Sequence, residues 1–431
     1  MASACCRIAS SRNRPLRAAE AAARVATPLS GLRVLDLSRV LAGPWASQIL
    51  GDLGAEVIKI ERPDGGDDTR AWGPPFLRDR ATGADGDAAY YLCANRNKKS
   101  VTVDFTTPEG RAIVERLAER SDIVLENFKV GGLAPYGLDY ASLQKINPRL
   151  IYCSITGFGQ TGPYAARPGY DFLIQAMGGL MSVTGRPDGE PGAGPQKAGV
   201  ALTDILTGLY AVIGILAALS HRERSGEGQY IDVALLDVQV AVLANQAMNY
   251  LVGGLAPQRL GNAHPNIVPY QDFPTADGHM VVAVGNDAQF ARLCTAADLL
   301  GVAEDPRYAT NQARVANRHA LIALLSAATA RHTTADWIAR LERAGVPCGP
   351  INTLDAVFAD PQVQARKLRV DLPHAAAGTV PQVASPLRLS KTPVSYAAAP
   401  PLLGQQTRAV LDEVLGMSAA EIDALAARNI V

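Results

Sequence analysis

The sequence predicts an α/β protein built on a doubly wound parallel sheet, with a smaller α+β domain after it. Three observations carry that expectation. From Gly31 onward, apolar runs that read as buried strands alternate with stretches of helical period. Thr-Pro and Gly-Pro signals open the helical stretches, and past residue 226 a cluster of turn formers breaks the pattern. "LRVLDLS" is the first strand, "GPWASQILGDLGA" a helix with Pro44 near its first turn, and "EVIKIER" the second strand, which together make one βαβ unit. The unit recurs as "SVTVDF", the helix "TPEGRAIVERLAERS", and "DIVLENF"; "LIYCSITGF" follows, and later "GQYIDVALLD" with the helix "VQVAVLANQAMNYLVG".

The remaining segments divide the chain further. "GNAHPNIVPYQDFPTADGHMVVAVGND" reads as turns followed by a hairpin bent at Asp277-Gly278, with helices to about Arg331, so a small domain is expected over 226–340. The large domain then covers 28–225. Residues 341–431, Pro-rich and then helical, are expected to fold back onto it as a strap and terminal helix. Residues 1–27 carry five arginines (Arg7, Arg12, Arg14, Arg17 and Arg24) against the single acid Glu20, amid Ala and Ser. That is the composition of a mitochondrial transit peptide, so a mitochondrial matrix location is expected.

Composition narrows the function classes. With 431 residues, 48% hydrophobic and 19% charged, the chain has enough apolar surface for a large core. Lys+Arg and Asp+Glu both total 41, so no overall charge points to nucleic acid or to a membrane surface as partner, and any anionic ligand must be held by a local site. The six cysteines are scattered without zinc spacing, which leaves a reduced compartment and no metal site as the expectation.

Ligands of doubly wound sheets bind beyond the carboxyl ends of the strands. Here those loops are "SRVLAGP", "ERPDGGDDTR", "DFTTPEG", "ENFKVGG" and "ITGFGQTGP". The first lacks G-x-G-x-x-G, which argues against a nicotinamide dehydrogenase. Cations and amides recur around these ends: Arg62 and Arg70, then Asn95-Arg96-Asn97-Lys98-Lys99, then Asn127 and Lys129. Their recurrence suits a phosphorylated ligand, with solvated surface charge as the plainer alternative.

One stretch stands apart. In "GVALTDILTGLYAVIGILAAL" a single carboxylate, Asp204, opens an otherwise apolar helix. It would cap that helix, or it has a chemical task. Gly208 and Ala211 share its face at i+4 and i+7; such small residues permit close packing or leave room for a ligand. The run is short after Asp204 and ends in "SHRERSGEG", so it is expected to be a core helix and not a membrane span. In "RPGYDFLIQAMGG", Tyr170 and Asp171 form a second constellation at a helix start, where local satisfaction is the plain alternative.

Taken together, "VLDLSRVLAGPWASQILGDLGAEVIKIERP", "NRNKKSVTVDF", "DIVLENF", "TDILTGLYAVIGILAAL", "GQYIDVALLD" and "PLLGQQT" resemble the class III CoA-transferases over nearly the whole chain after residue 28. The resemblance implies a Rossmann-like large domain, a small domain, and a homodimer of interlocked subunits. It implies that Asp204 is the catalytic nucleophile, and that CoA contacts Val40, Arg62, Val103, Asn127 and Phe128. Tyr170 and Asp171 would line the same cleft, with Leu41 standing where formyl-transferring relatives carry a glutamine. Gly157 and Gly159 are candidates for donating N–H groups to a carbonyl oxygen, a satisfied turn being the alternative. The activity so implied moves CoA from succinyl-CoA to a small dicarboxylic acid, glutarate or 3-hydroxy-3-methylglutarate, with the CoA thioester as substrate and no permanent cofactor. Arg39 is the candidate for the distal carboxylate. An α-methylacyl-CoA racemase and a non-catalytic CoA-binding scaffold are the alternatives.

Overall fold

A computed structural model describes residues 27–431; the expected transit segment lies outside the described residues except for Thr27. Six strands form the principal sheet: β1 (Arg33–Asp36), β2 (Glu56–Glu61), β3 (Lys98–Thr102), β4 (Ile123–Glu126), β5 (Ile151–Thr156) and β6 (Tyr230–Ala234). Their order is β3-β2-β1-β4-β5-β6, every pair parallel. This is the doubly wound order of nucleotide-binding sheets, with its reversal between β1 and β4. The expected α/β class holds.

Both faces of the sheet are covered, which is why its strands read as apolar runs. On one face α1 (Ala42–Asp52) and a long helix (Leu202–Ser225) bury Val34, Leu50, Val57, Leu125, Ile151 and Ile215. On the other, α2 (Pro108–Glu119) and the chain's last helices bury Leu35, Ile58, Leu117, Val124 and Leu411. Thr107 starts α2 by accepting the Gly110 N–H at 3.1 Å, with Pro108 as its first residue.

Further on come α3 (Asp171–Met177), the long helix α4 (Leu202–Ser225), and the antiparallel strands β7 (Tyr270–Pro274), β8 (His279–Ala283) and β9 (Cys348–Pro350). The apolar helix α4 is long and apolar enough to span a membrane, yet one side of it lies on the sheet and α1, and near its end the buried Arg222 pairs with the half-buried Asp122 at 3.1 Å. Phe273, Met280, Phe290, Leu325 and Trp337 make a separate core for the small sheet. Two strands correct the expected division. β6 belongs to the principal sheet through β5, so a boundary at 226 would cut off the strand that completes it. β9 lies beyond 340 but pairs with β8, so the small unit extends to Pro350. The extended reach of the large unit could not be read from turn formers, because pairing partners are set by topology and not by local composition.

After a hairpin of β10 (Arg369–His374) and β11 (Gly378–Val383), the chain returns to the edge of the principal sheet. Asn97 donates to the Ser395 carbonyl at 2.7 Å and accepts the Ala397 N–H at 2.8 Å. The Thr102 N–H reaches Thr407 Oγ1 at 2.9 Å, and the Asp104 N–H reaches the Ile430 carbonyl at 2.7 Å.

Candidate functional site

Two adjoining cavities open at the reversal of strand order, beyond β1 and β4, with volumes of about 200 and 390 Å³. Arg39 and Phe128 line both. The smaller holds Arg62 and Val103, and the larger holds Val40, Leu41, Asn127, Gly157, Tyr170 and Asp204. Residues as far apart in the chain as Arg39 and Asp204 are therefore brought to one place by the topology.

The loop after β1 is held from two sides. Asn127 makes a reciprocal pair with the Arg39 backbone, accepting its N–H at 2.8 Å and donating to its carbonyl at 2.7 Å. Val40 then adopts φ +70°, a conformation that a β-branched residue occupies only under constraint. Its N–H points at both Asp67 oxygens, 3.3 Å away. Burial would raise the Asp67 carboxyl, but Lys59 Nζ at 2.9 Å and the Thr69 N–H bring it down to about 2. A permanent anion thus sits under the strained loop. Asn127, expected to contact CoA, has its amide committed to Arg39.

Phe128 is fixed by its N–H, which donates to Glu126 Oε2 at 2.7 Å. Burial pushes Glu126 up to about 7 against the hydrogen bonds from Ser154 and Phe128. At the mouth of the smaller cavity, Arg39 and Arg62 share the Asp68 carboxylate at 3.0 and 3.2 Å.

Asp204 lies in the first turn of α4, and among the described residues its carboxylate accepts no hydrogen bond. Burial, then the neighbouring charge of Asp171, pushes it up to about 7. The capping role falls instead to Asp171, which accepts the Thr203 N–H at 2.8 Å and is itself gripped by Gln175 at 2.6 Å. Asp171 does not line the cavity, which corrects that expectation; its place is at the helix start behind Asp204. The bare face of α4 also resolves. A Cβ on Gly208 would stand 2.7 Å from the Ala42 carbonyl oxygen and 3.2 Å from Trp45, so this glycine serves close packing on α1 and leaves no room for a ligand.

The two glycine candidates separate. Gly159 has φ +89°, donates its N–H to Thr156 Oγ1 at 2.9 Å, and is not among the cavity residues: it is the satisfied turn. Gly157 does line the cavity, and its backbone crosses that of Gly169 so closely that a Cβ on Gly157 would lie 2.5 Å from the Gly169 Cα. That crossing ties the segment carrying Arg167 and Tyr170 to the end of β5.

Most of the expected ligand cations are already paired within the protein. Arg70 pairs with Glu61 at 2.7 Å, Arg96 with Asp52 at 2.6 Å, Lys98 with Asp36 at 3.2 Å and Lys99 with Glu56 at 2.6 Å. Of the cations the sequence reading put at strand ends, Arg62 and Lys129 face the cavities, joined by Arg39. Among the described residues no group of three or more His, Cys, Asp or Glu is placed to hold a metal ion. Sequence reasoning missed Arg167, in the larger cavity, and Tyr90, close enough to Asp204 for burial and that charge to raise its phenol to about 12.

A family model described as CoA-transferase family III matches residues 29–407. The chain belongs to CoA-transferase family III. It is therefore an enzyme that uses CoA thioesters. The chain is 57% identical over 387 residues to a succinate–glutarate CoA-transferase of Agrobacterium fabrum, spanning 90% of this chain and 96% of that protein. It is 47% identical over 404 residues to the succinyl-CoA:glutarate CoA-transferase of Mus musculus, spanning 94% of this chain and 90% of the mouse protein. Among solved structures, a CaiB/BaiF family protein from Brucella suis superposes with TM-score 0.79 at 53% identity, covering 90% of this chain and 99% of that one.

Proposed function

We propose that this CoA-transferase moves CoA from succinyl-CoA to a dicarboxylic acid, glutarate or 3-hydroxy-3-methylglutarate, with Asp204 as nucleophile. The observation that carries the reading is the Asp204 carboxylate itself: unpaired, poorly solvated, and facing a cavity that adjoins the one holding Arg62 and Val103. Relatives whose names specify succinate and glutarate support the substrates.

The chemistry follows from a carboxylate meeting a thioester. Asp204 attacks the succinyl carbonyl carbon, the C–S bond breaks, and CoA leaves as thiolate, giving a mixed anhydride. The thiolate attacks the aspartyl carbonyl of that anhydride and succinate departs, leaving CoA as an aspartyl thioester. The acceptor carboxylate attacks this thioester, again displacing the thiolate, which then attacks the acceptor's carbonyl and frees Asp204. The raised pKa makes the Asp204 carboxylate a stronger nucleophile once ionised. Arg62 and Arg39 supply charge for the CoA phosphates, Val103 and Phe128 an apolar surface, and Val40 and Leu41 part of the wall of the Asp204 cavity. Among the described residues, the Asp204 cavity has no histidine to act as a second base, which supports transfer over racemisation.

Two further parts of the proposal concern address and assembly. The arginine-rich segment before Thr27 supports import into the mitochondrial matrix. Leu251, Val252, Leu255 and Leu354 are each at least 70% exposed, an apolar surface that supports burial against a second copy of the chain in a homodimer. Hydroxylamine added during turnover with succinyl-CoA and glutarate tests the core of the reading: modification is expected at Asp204, and modification elsewhere overturns it.

A further inference from the structure

The proposed substrates carry a second carboxylate, for which a cation lining the cavity is the natural partner. Three cations line the cavity that holds Asp204: Arg39, Lys129 and Arg167. Arg39 is committed, pairing with Asp68 at 3.0 Å, placed 5.8 Å from the Phe128 ring centre, and shared with the neighbouring cavity. Lys129 also borders a small separate hollow beside Glu126 and Tyr152.

Arg167 differs from both. Among the described residues its side chain forms no salt bridge and donates to no oxygen; the guanidinium's one polar contact is to Met177 Sδ at 3.9 Å, while the backbone N–H is satisfied by the Tyr164 carbonyl at 2.9 Å. Its guanidinium lies 4.6 Å from the Tyr164 ring centre and 5.2 Å from that of Phe158. Those rings stand edge to face, 5.6 Å apart. Stacking on aromatic faces orients a guanidinium while leaving its edge N–H groups for an anion, an arrangement that a lysine does not provide. The Gly157–Gly169 crossing ties down the segment two residues away, and the adjoining Pro168 restricts it further. The fork is therefore presented into the cavity by a braced segment.

We propose that Arg167 is the specificity residue for the distal carboxylate, binding it through a bidentate pair while the reacting carboxylate or thioester faces Asp204. This rests on the dicarboxylate reading above. It places selection of the acid on the 157–170 segment and not on the loop after β1, where the sequence had pointed to Arg39.

The test compares glutarate with pentanoate, which replaces the distal carboxylate by a methyl group, as acceptors from succinyl-CoA. For the wild-type enzyme kcat/KM should favour glutarate. In Arg167→Gln that preference should fall by roughly tenfold to a hundredfold, the loss expected when a charged hydrogen-bond pair is removed. The dissociation constant of free CoA should stay the same, and Arg167→Lys should restore part of the preference. Arg39→Gln should keep the preference. If wild type favours glutarate and Arg167→Gln keeps the whole preference, or if Arg39→Gln removes it instead, the assignment to Arg167 is wrong. If wild type itself shows no preference, the dicarboxylate reading fails first, and the wild-type measurement alone reveals that.

Discussion

Asp171 accepts the backbone N–H of Asp204 at 3.3 Å, and that of Thr203 at 2.8 Å. The acid that satisfies the helix start is thus not the acid that faces the cavity. A single carboxylate could not have both roles, because hydrogen bonds that cap a helix also lower the carboxyl's pKa and blunt its nucleophilicity. Splitting them leaves Asp204 unpaired, and the Asp171 charge behind it adds to the effect of burial.

The pH profile should report this arrangement. Only the carboxylate attacks, so kcat/KM for succinyl-CoA is expected to rise with pH through an inflection near the value of about 7 that burial and Asp171 give Asp204. Asp171→Asn removes the second cause and should move the inflection down. A profile flat between about pH 6 and 8 would contradict the assignment.

Stability should change in the opposite sense from activity. Asp204 has a higher pKa folded than unfolded, so the native state holds the extra proton, and stability falls as pH rises from the unfolded value of 3.8 to about 7. Asp204→Asn should therefore match wild type near pH 4 and exceed it by about 1–3 kcal/mol above pH 7, while losing turnover. Thermal melts across that range decide it; an Asn variant less stable than wild type at high pH would show that the carboxylate is not strained by its surroundings.

The glycine crossing gives a third expectation. Gly157→Ala or Gly169→Ala places a Cβ within 2.5 Å of the opposite glycine's Cα. Each should lower stability by about 1–3 kcal/mol and raise the KM for the dicarboxylate more than that for CoA, since Arg167 and Tyr170 move with the segment. Equal effects on both KM values would detach the crossing from acid recognition.

A fourth contrasts two arginines. Arg96→Ala strands the buried Asp52 carboxylate and should cost about 3–5 kcal/mol of stability, whereas Arg62→Ala should leave the melting temperature within a degree or two and weaken CoA binding. Calorimetric titration with CoA and thermal melts on both variants separate the roles.

What the sequence revealed, and what it hid, follows from the range of the forces involved. The order of strands and helices was legible because burial on both faces imposes apolar runs, and the strand-end loops were legible because the doubly wound sheet dictates where ligands bind. Asp204 was conspicuous as a charge in an apolar helix. The partners of charges were not legible: Lys98 and Asp36 lie 62 residues apart, and no local pattern distinguishes a lysine that meets a phosphate from one buried under α1. Gly208 likewise had two meanings until Ala42 and Trp45 were placed against it. Arg167 escaped notice because its value lies in having no partner, and an unpaired side chain has no signature in one dimension.

The return of the chain to β3 bears on how the molecule is made. The N–H groups of Thr102 and Asp104, along the edge of the principal sheet, are satisfied by Thr407 and Ile430. While the ribosome is still translating the small unit, that edge is open and its core lacks Leu411 and Ile422. The large domain is thus completed only after synthesis has passed residue 430, and until then the nascent chain carries an unpaired strand edge of the kind that chaperones cover.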